Sequence, residues 1–257
     1  MPKLKFRNFG RPGWHIEDTA ITEKEFGPQY DIHGGAVDLI FPHHEAEIAQ
    51  MESLSGKKPL VKYWLHTAFL NIEKEKMSKS LKNFITIKDV LKKYDGRVLR
   101  YFFVSQHYRT SINFSYDILE QSKNALERLN DFIMKLKGSK EKDDLKLIKK
   151  TKDDFLKTMN DDFDTPKALR VIFDFVKVVN KKGGGKKSYE LMKEIDKILT
   201  VFTFEEKIPK DIIKLAEERE RERKLKNWSE ADSIRDKIKK LGYAVEDSDS
   251  GPNIKKV

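Results

Sequence analysis

The chain has 257 residues, 38% hydrophobic and 37% charged, a length that allows one large domain or two to three small ones around modest cores. It contains no cysteine, which excludes a disulfide framework and any thiolate metal site within it, and no apolar run approaches the length of a membrane span. Lys and Arg outnumber Asp and Glu by 52 to 42, and the net charge of +10 suits either a polyanionic partner or a basic, lysine-rich soluble protein. The start, Met1 to Phe6, lacks the apolar stretch of a signal peptide, so a soluble cytoplasmic protein with no membrane partner is expected.

Over roughly the first hundred residues, short apolar runs alternate with Gly and Pro, as in an α/β domain. Tyr30 to Gly35 predicts a strand ending in a glycine turn, Glu45 to Leu54 a helix after Pro42, and Leu60 to Ile72 extended segments. Thr86 to Tyr94 predicts a helix capped near Thr86. From Asp117 the character changes: Ile118, Leu119, Leu126, Leu129, Phe132, Ile133 and Leu136 recur at helical spacing. Lys137 to Asp144 is a charged break, followed by helices over Leu145–Met159 and Thr165–Asn180. Lys181 to Lys187, with three central glycines, predicts a flexible basic linker before a last bundle helix, Tyr189–Leu199. After Pro209 come charged helices over Asp211–Leu225 and Ser229–Leu241, a stop at Gly242, a strand over Tyr243–Asp247 and a frayed tail. Glu217 to Arg223 has the alternating charge of a solvated helix face. The expected divisions are 1–114, 115–203 and 204–257.

Lys76-Met77-Ser78-Lys79-Ser80 is the most informative segment. Two lysines flanking small hydroxyl residues on a loop can grip a triphosphate, and each ammonium is a compact charge with three donors. Aimed at a departing phosphate, it stabilises charge that develops only in the transition state, which suggests nucleotidyl transfer. Upstream lie Trp14-His15-Ile16-Glu17, His33-Gly34-Gly35, Phe41-Pro42-His43-His44-Glu45-Ala46-Glu47 and Trp64-Leu65-His66-Thr67. Downstream lie His107-Tyr108-Arg109, Asn160 to Pro166 and Asn227 to Asp232. Taken alone, Gly34-Gly35 fits a tight turn as well as a nucleotide loop. Trp14 fits a core as well as a pocket, and His43 with Glu47, four apart on a helix, fits a surface pair as well as an ion site.

These blocks, in this order, resemble the class I aminoacyl-tRNA synthetases, and among them the cysteinyl-tRNA synthetases, nearly from end to end. The resemblance implies the second half of a Rossmann-like catalytic domain, then a helical tRNA-binding bundle and a small anticodon-binding-type module. It implies that ATP, with its Mg²⁺, and cysteine give an adenylate, and that the acyl group then passes to tRNA. Lys76 and Lys79 would be catalytic, gripping the phosphates by position and charge. His33, Gly34, Gly35 and Asp38 would face the nucleotide, with Lys79, and Trp14 and His15 would line the amino-acid pocket. His43 and Glu47 match zinc ligands, the ion taking the substrate's thiolate directly and so rejecting serine. Asp18 stands where that site has a cysteine.

Several departures follow from the same comparison. The second cysteine ligand has no counterpart, and no HIGH-type motif is found, so an amino-terminal HIGH-bearing half is an expected partner. Ala68 and Lys82 stand where glycines are usual. The expected function is the carboxy-terminal portion of a cysteine–tRNA ligase; the alternative is a non-catalytic tRNA-binding paralogue.

Overall fold

The computed structural model describes residues 13–72, 75–76, 85–204, 209–248 and 251–256, some of the strand and terminal positions through their backbone alone. It divides into two compact units, the first ending at Phe202 and the second beginning at Thr203.

The first unit opens with helix α1 (His15–Phe26), closed by Gly27 at φ +80°. Strand β1 (Tyr30–Ala36) follows, and a 3-10 turn (Val37–Leu39) and an irregular turn (Ile40–His44) lead into α2 (Glu45–Ser55). Strand β2 (Val61–Thr67) then runs parallel to β1, so β1, α2 and β2 form one crossover unit. Gly34 and Gly35 are not a turn after the strand, as their sequence suggests. They lie within it, in register with Leu65 and His66. Met51, Leu60 and Val61 form the local core, with Tyr30, Ile48 and Trp64 against it. Strands β3 (Leu70–Ile72), β4 (Glu75–Lys76) and β5 (Ile112–Phe114) make a second small sheet, β3 parallel to β5 and antiparallel to β4.

Between β4 and β5 lie α3 (Ile87–Leu91) and α4 (Gly96–Val104). Thr86 caps α3 by accepting from the Asp89 N–H, and the helix is shorter than expected. Helix α4 is absent from the sequence reading, although Asp95 caps it and Val98, Leu99, Tyr101 and Phe102 are buried along one side. Four helices then form a bundle: α5 (Tyr116–Gly138), α6 (Leu145–Asn160), α7 (Thr165–Lys182) and α8 (Lys186–Leu199). Its core is the apolar series anticipated on α5, joined by Phe155, Ile172, Phe175, Met192 and Ile195.

The segment 181–187 is not a flexible linker. Helix α7 runs on to Lys182, Gly183 turns the chain at φ +85°, and α8 begins at Lys186. The carboxylate of Asp143 accepts from the backbone N–H groups of Gly185, Lys187 and Ser188 and from the Ser188 hydroxyl. Glu141 accepts from the Gly184 N–H. Two acidic side chains of the α5–α6 connection thus satisfy the free donors at the start of α8.

The second unit contains α9 (Lys210–Lys224), α10 (Trp228–Lys240) and the antiparallel hairpin β6 (Tyr243–Ser248) and β7 (Gly251–Lys256). The tail expected to fray therefore supplies a strand. Ile212, Ala216, Ile234, Ile238, Val245 and Ile254 are its core. Arg219, within the run expected to be a solvated face, is buried. Among the described residues no helix is long and apolar enough to cross a membrane.

Candidate functional site

The carboxyl ends of two parallel strands and the first turn of the crossover helix converge in the first unit, where open α/β sheets place ligands. Strand β1 brings His33, β2 brings Trp64 and His66, and the start of α2 brings His43, His44 and Glu47. Helix α1 lies against α2 and carries Asp18. A cleft of about 240 Å³ is lined by Trp14, Asp18, Thr22, His33, Gly34, Leu39, His44 and Glu47, among others. That is smaller than a drug-sized pocket of roughly 300–1,000 Å³ and suits a small ligand.

The rings fall into two groups. In the outer one, Trp14 stacks on His43 with centroids 4.2 Å apart, and Nε2 of His15 lies 2.6 Å from Nδ1 of His43. In the inner one, His33 stacks on Trp64 at 4.7 Å and meets His44 edge-on at 4.6 Å. Nδ1 of His44 lies 2.9 Å from Nε2 of His66, and the Tyr30 hydroxyl lies 2.6 Å from Nδ1 of His33. His33, His44 and Glu47 each offer one donor atom, all within 4.8 Å of one another. Oε2 of Glu47 is buried without a hydrogen-bond partner and sits 3.9 Å from Nδ1 of His33.

Gly35 makes this packing possible. A Cβ built on it would fall 2.7 Å from Cε1 and 3.0 Å from Nε2 of His44, whereas one on Gly34 would meet only the Leu65 carbonyl, at 3.8 Å. The space left by the Gly35 side chain is filled by the His44 ring.

Electrostatics follow from this crowding. Burial, with repulsion from Asp18, pushes the Glu47 carboxyl up to about 7. Burial, followed by His33, His66 and His43, pushes His44 down to about 4. Burial and then His66 lower His33, against an upward pull from Asp18. Burial and then Glu47 raise Tyr30 to about 12.

Of the residues singled out from sequence, Trp14, Asp18, His33, Gly34 and Glu47 share the cleft. His15 and His43 pair with one another at its edge. Asp38 is exposed in the turn after β1, and Gly35 packs on His44. The backbone of Lys76 ends β4, while Lys79 and the rest of the KMSKS segment lie outside the described residues. Sequence reasoning gave no role to His44 or His66, although the His43-His44 doublet was a visible signal. Glu47 and Asp18 fit a cation by chemistry and position, Glu47 through its unpartnered buried oxygen. His43 pairs through Nδ1 with His15 and stacks on Trp14 in this structure.

Three family profiles match the chain: "tRNA synthetases class I (C) catalytic domain" over residues 7–124, "DALR domain" over 154–203, and "Cysteinyl-tRNA ligase anticodon binding domain" over 206–252. Among curated proteins, a cysteine–tRNA ligase of Thermoplasma volcanium is 45% identical over 93% of this chain and 54% of its own length. A cysteine–tRNA ligase of Caldicellulosiruptor saccharolyticus is 40% identical over 96% of this chain and 57% of its own length. One from Lachnospira eligens is 41% identical over 94% and 55%. The chain spans about half the length of the curated relatives it matches. A solved ternary complex of Agrobacterium radiobacter K84 agnB2 LeuRS with tRNA and LeuAMS aligns over 66% of this chain and 25% of its own, with TM-score 0.51 and 15% identity, a likeness of fold.

Proposed function

The chain belongs to the cysteinyl-tRNA synthetase family, a lineage of ATP-using aminoacyl-tRNA ligases, and on that premise we propose that it carries the phosphate loop, amino-acid cleft and tRNA-binding modules of a cysteine–tRNA ligase. In this reading a HIGH-bearing half completes the active site. The observation that carries it is the cleft beside β1 and the start of α2, where Trp14, Asp18, His33, His44 and Glu47 converge.

Each residue then has a part. Trp14 covers the amino-acid side of the cleft as an aromatic wall. Asp38, exposed just past β1, accepts from the ribose hydroxyls, and the strand's glycines keep that edge low. Lys76 and Lys79 neutralise the triphosphate and the departing pyrophosphate. Zinc, where bound at Glu47 and its neighbours, supplies a soft Lewis acid for the substrate's sulfur. The bundle and the second unit hold tRNA, and residues 1–114, 115–203 and 204–257 act as catalytic, bundle and anticodon-type parts. A cytoplasmic setting goes with this role.

A second half is supported by the outer face of the β1–β2 pair. Ile32 and Tyr63, side by side in register, are 64% and 66% exposed, and Phe41 and Phe26 lie open nearby in sequence. Parallel strands are normally covered on both faces, so such an apolar surface suits further polypeptide.

The test is cysteine-dependent exchange of pyrophosphate into ATP. The chain alone is expected to show background, a mixture with a separately expressed HIGH-bearing half to show exchange, and Lys79→Ala in that mixture to lose it while tRNA binding persists. Robust exchange by the chain alone overturns the need for a second half. A co-purifying mixture without exchange overturns the ligase reading in favour of a tRNA-binding paralogue.

A further inference from the structure

We propose that Asp162 is a positioning residue: from the turn between α6 and α7 its carboxylate clamps His107-Tyr108-Arg109, and through that segment it ties the bundle to the strand end beside the cleft. The consequence is that tRNA held on the bundle is aligned with the amino-acid cleft. That consequence rests on the ligase reading; the clamp does not.

Two of the motif blocks, His107-Tyr108-Arg109 and Asn160 to Pro166, line no part of the cleft, yet the fold brings them together. The Tyr108 hydroxyl donates to Oδ1 of Asp162 at 2.5 Å. Arg109 donates through Nη2 to the same oxygen at 3.1 Å, and its Nε lies 2.6 Å from Oδ2. This two-pronged pairing of guanidinium and carboxylate fixes orientation as well as distance. Beside it, the Thr165 hydroxyl donates to the Gln106 carbonyl at 3.3 Å. The Tyr108 ring is itself gripped, with His107 stacked on it at 5.0 Å and the Arg109 guanidinium 5.4 Å from its centroid.

The backbone is bent to present this carboxylate. Asp162 and Phe163 sit at φ +55° and +54°, a left-handed region that residues with a Cβ seldom adopt and that bulky Phe163 adopts least readily. Phe163 gains no burial in return, being 53% exposed. The Phe163 N–H donates to the Met159 carbonyl and the Asp164 N–H to that of Thr158, which closes α6 and leaves the Asp162 side chain facing residues 108 and 109. Strain of this kind persists only where the surrounding structure holds it.

Exposure decides what the clamp is for. The Asp162 and Arg109 side chains are 43% and 61% exposed, and a pair so open to water adds little to stability. Its effect is geometric. The Tyr108 carbonyl accepts from the Ala68 N–H at 2.9 Å, and Ala68 directly follows β2. Two residues back along that strand, His66 is bonded to His44 in the inner ring group. Contacts therefore run unbroken from the α6–α7 turn through Tyr108 to the end of β2. Arg109 first, then Tyr108, hold the Asp162 carboxyl below its ordinary value, which favours the charged form that the clamp uses.

Amide hydrogen exchange of the full chain, followed by NMR, reads the clamp without any activity. Asp162→Asn keeps a residue that tolerates the left-handed region and removes the charge. It should cut protection of the Ala68 amide by at least about tenfold, while Ile133 and Ile172 in the bundle core keep theirs. Arg109→Lys, which retains the charge and loses the fork, should do the same, and the double variant should be no worse than either. In the mixture with a HIGH-bearing half, Asp162→Asn should lower kcat for charging of tRNA by at least about tenfold and leave cysteine-dependent pyrophosphate exchange within about twofold of wild type. Unchanged protection at Ala68, or a loss spread evenly over the bundle, would overturn the clamp. Undiminished charging, or charging and pyrophosphate exchange falling together, would overturn the positioning role. If the wild-type mixture does neither reaction, the ligase reading fails and protection at Ala68 still decides the clamp.

Discussion

Replacing Gly35 by alanine should damage this protein in a way that replacing Gly34 does not. Both glycines sit in β1, paired with His66 and Leu65, at backbone angles open to any residue, so a methyl group alone should slightly favour the strand. At Gly35, however, the new methyl would lie 2.7 Å from Cε1 of His44 and 3.1 Å from Cδ1 of Leu39. His44 cannot swing away cheaply, because it is 5% exposed and bonded to His66. Overpacking of this kind costs about 1–3 kcal/mol, and the lost His44–His66 bond adds about 1 kcal/mol. Gly35→Ala should therefore lose about 2–4 kcal/mol, and Gly34→Ala should stay within about 0.5 kcal/mol of wild type or gain slightly. For a unit of this size the first corresponds to a fall in Tm of about 4–16 °C. Urea and thermal denaturation of the two variants, side by side, measure the difference. Equal stability of the pair would refute the claim that the Gly35 space belongs to the His44 ring.

Asp143→Ala should destabilise the first unit by about 2 kcal/mol, since it strips the start of α8 of a cap that accepts from three backbone N–H groups and one hydroxyl. Burial alone would raise the Asp143 carboxyl, but the Ser188 hydroxyl and the three N–H groups outweigh it and hold it below its ordinary value. A depressed carboxylate contributes stability above its unfolded pKa of about 3.9 and loses it as pH falls through the folded value. The gap between wild type and Asp143→Ala in urea denaturation should accordingly be full at pH 7 and close below about pH 4. Binding of tRNA should weaken steeply with added salt, as expected of a chain with net charge +10 meeting phosphates. A flat salt response in filter binding would rule out the basic surface as the contact.

Local patterns carried far along this chain and stopped where long-range partners decide. The bundle was legible because Leu119, Leu126, Leu129, Phe132, Ile133 and Leu136 repeat with helical period and are all buried on α5. The segment 181–187 misled because three glycines among lysines look unconstrained, while the groups that order it, Glu141 and Asp143, lie more than forty residues upstream. Gly34-Gly35 resembles a turn until β2 supplies the strand that pairs with it. The last residues looked frayed although their partner is the adjacent strand β6, so there the miss lay in a local hairpin. At the site, the motif blocks identified the neighbourhood but not the packing of His44 against His66 and Gly35, which only the fold brings together. The turn before α2 is itself irregular, with Phe41 outside the helical region at φ −129°, ψ 131°, which no local pattern announces.

The most direct measurement is charging of tRNA-Cys with labelled cysteine by this chain combined with a HIGH-bearing amino-terminal half, each protein also assayed by itself. The account predicts cysteinyl-tRNA from the combination and none from either component. Charging by the chain alone, or a stable complex of the two that charges nothing, would contradict it.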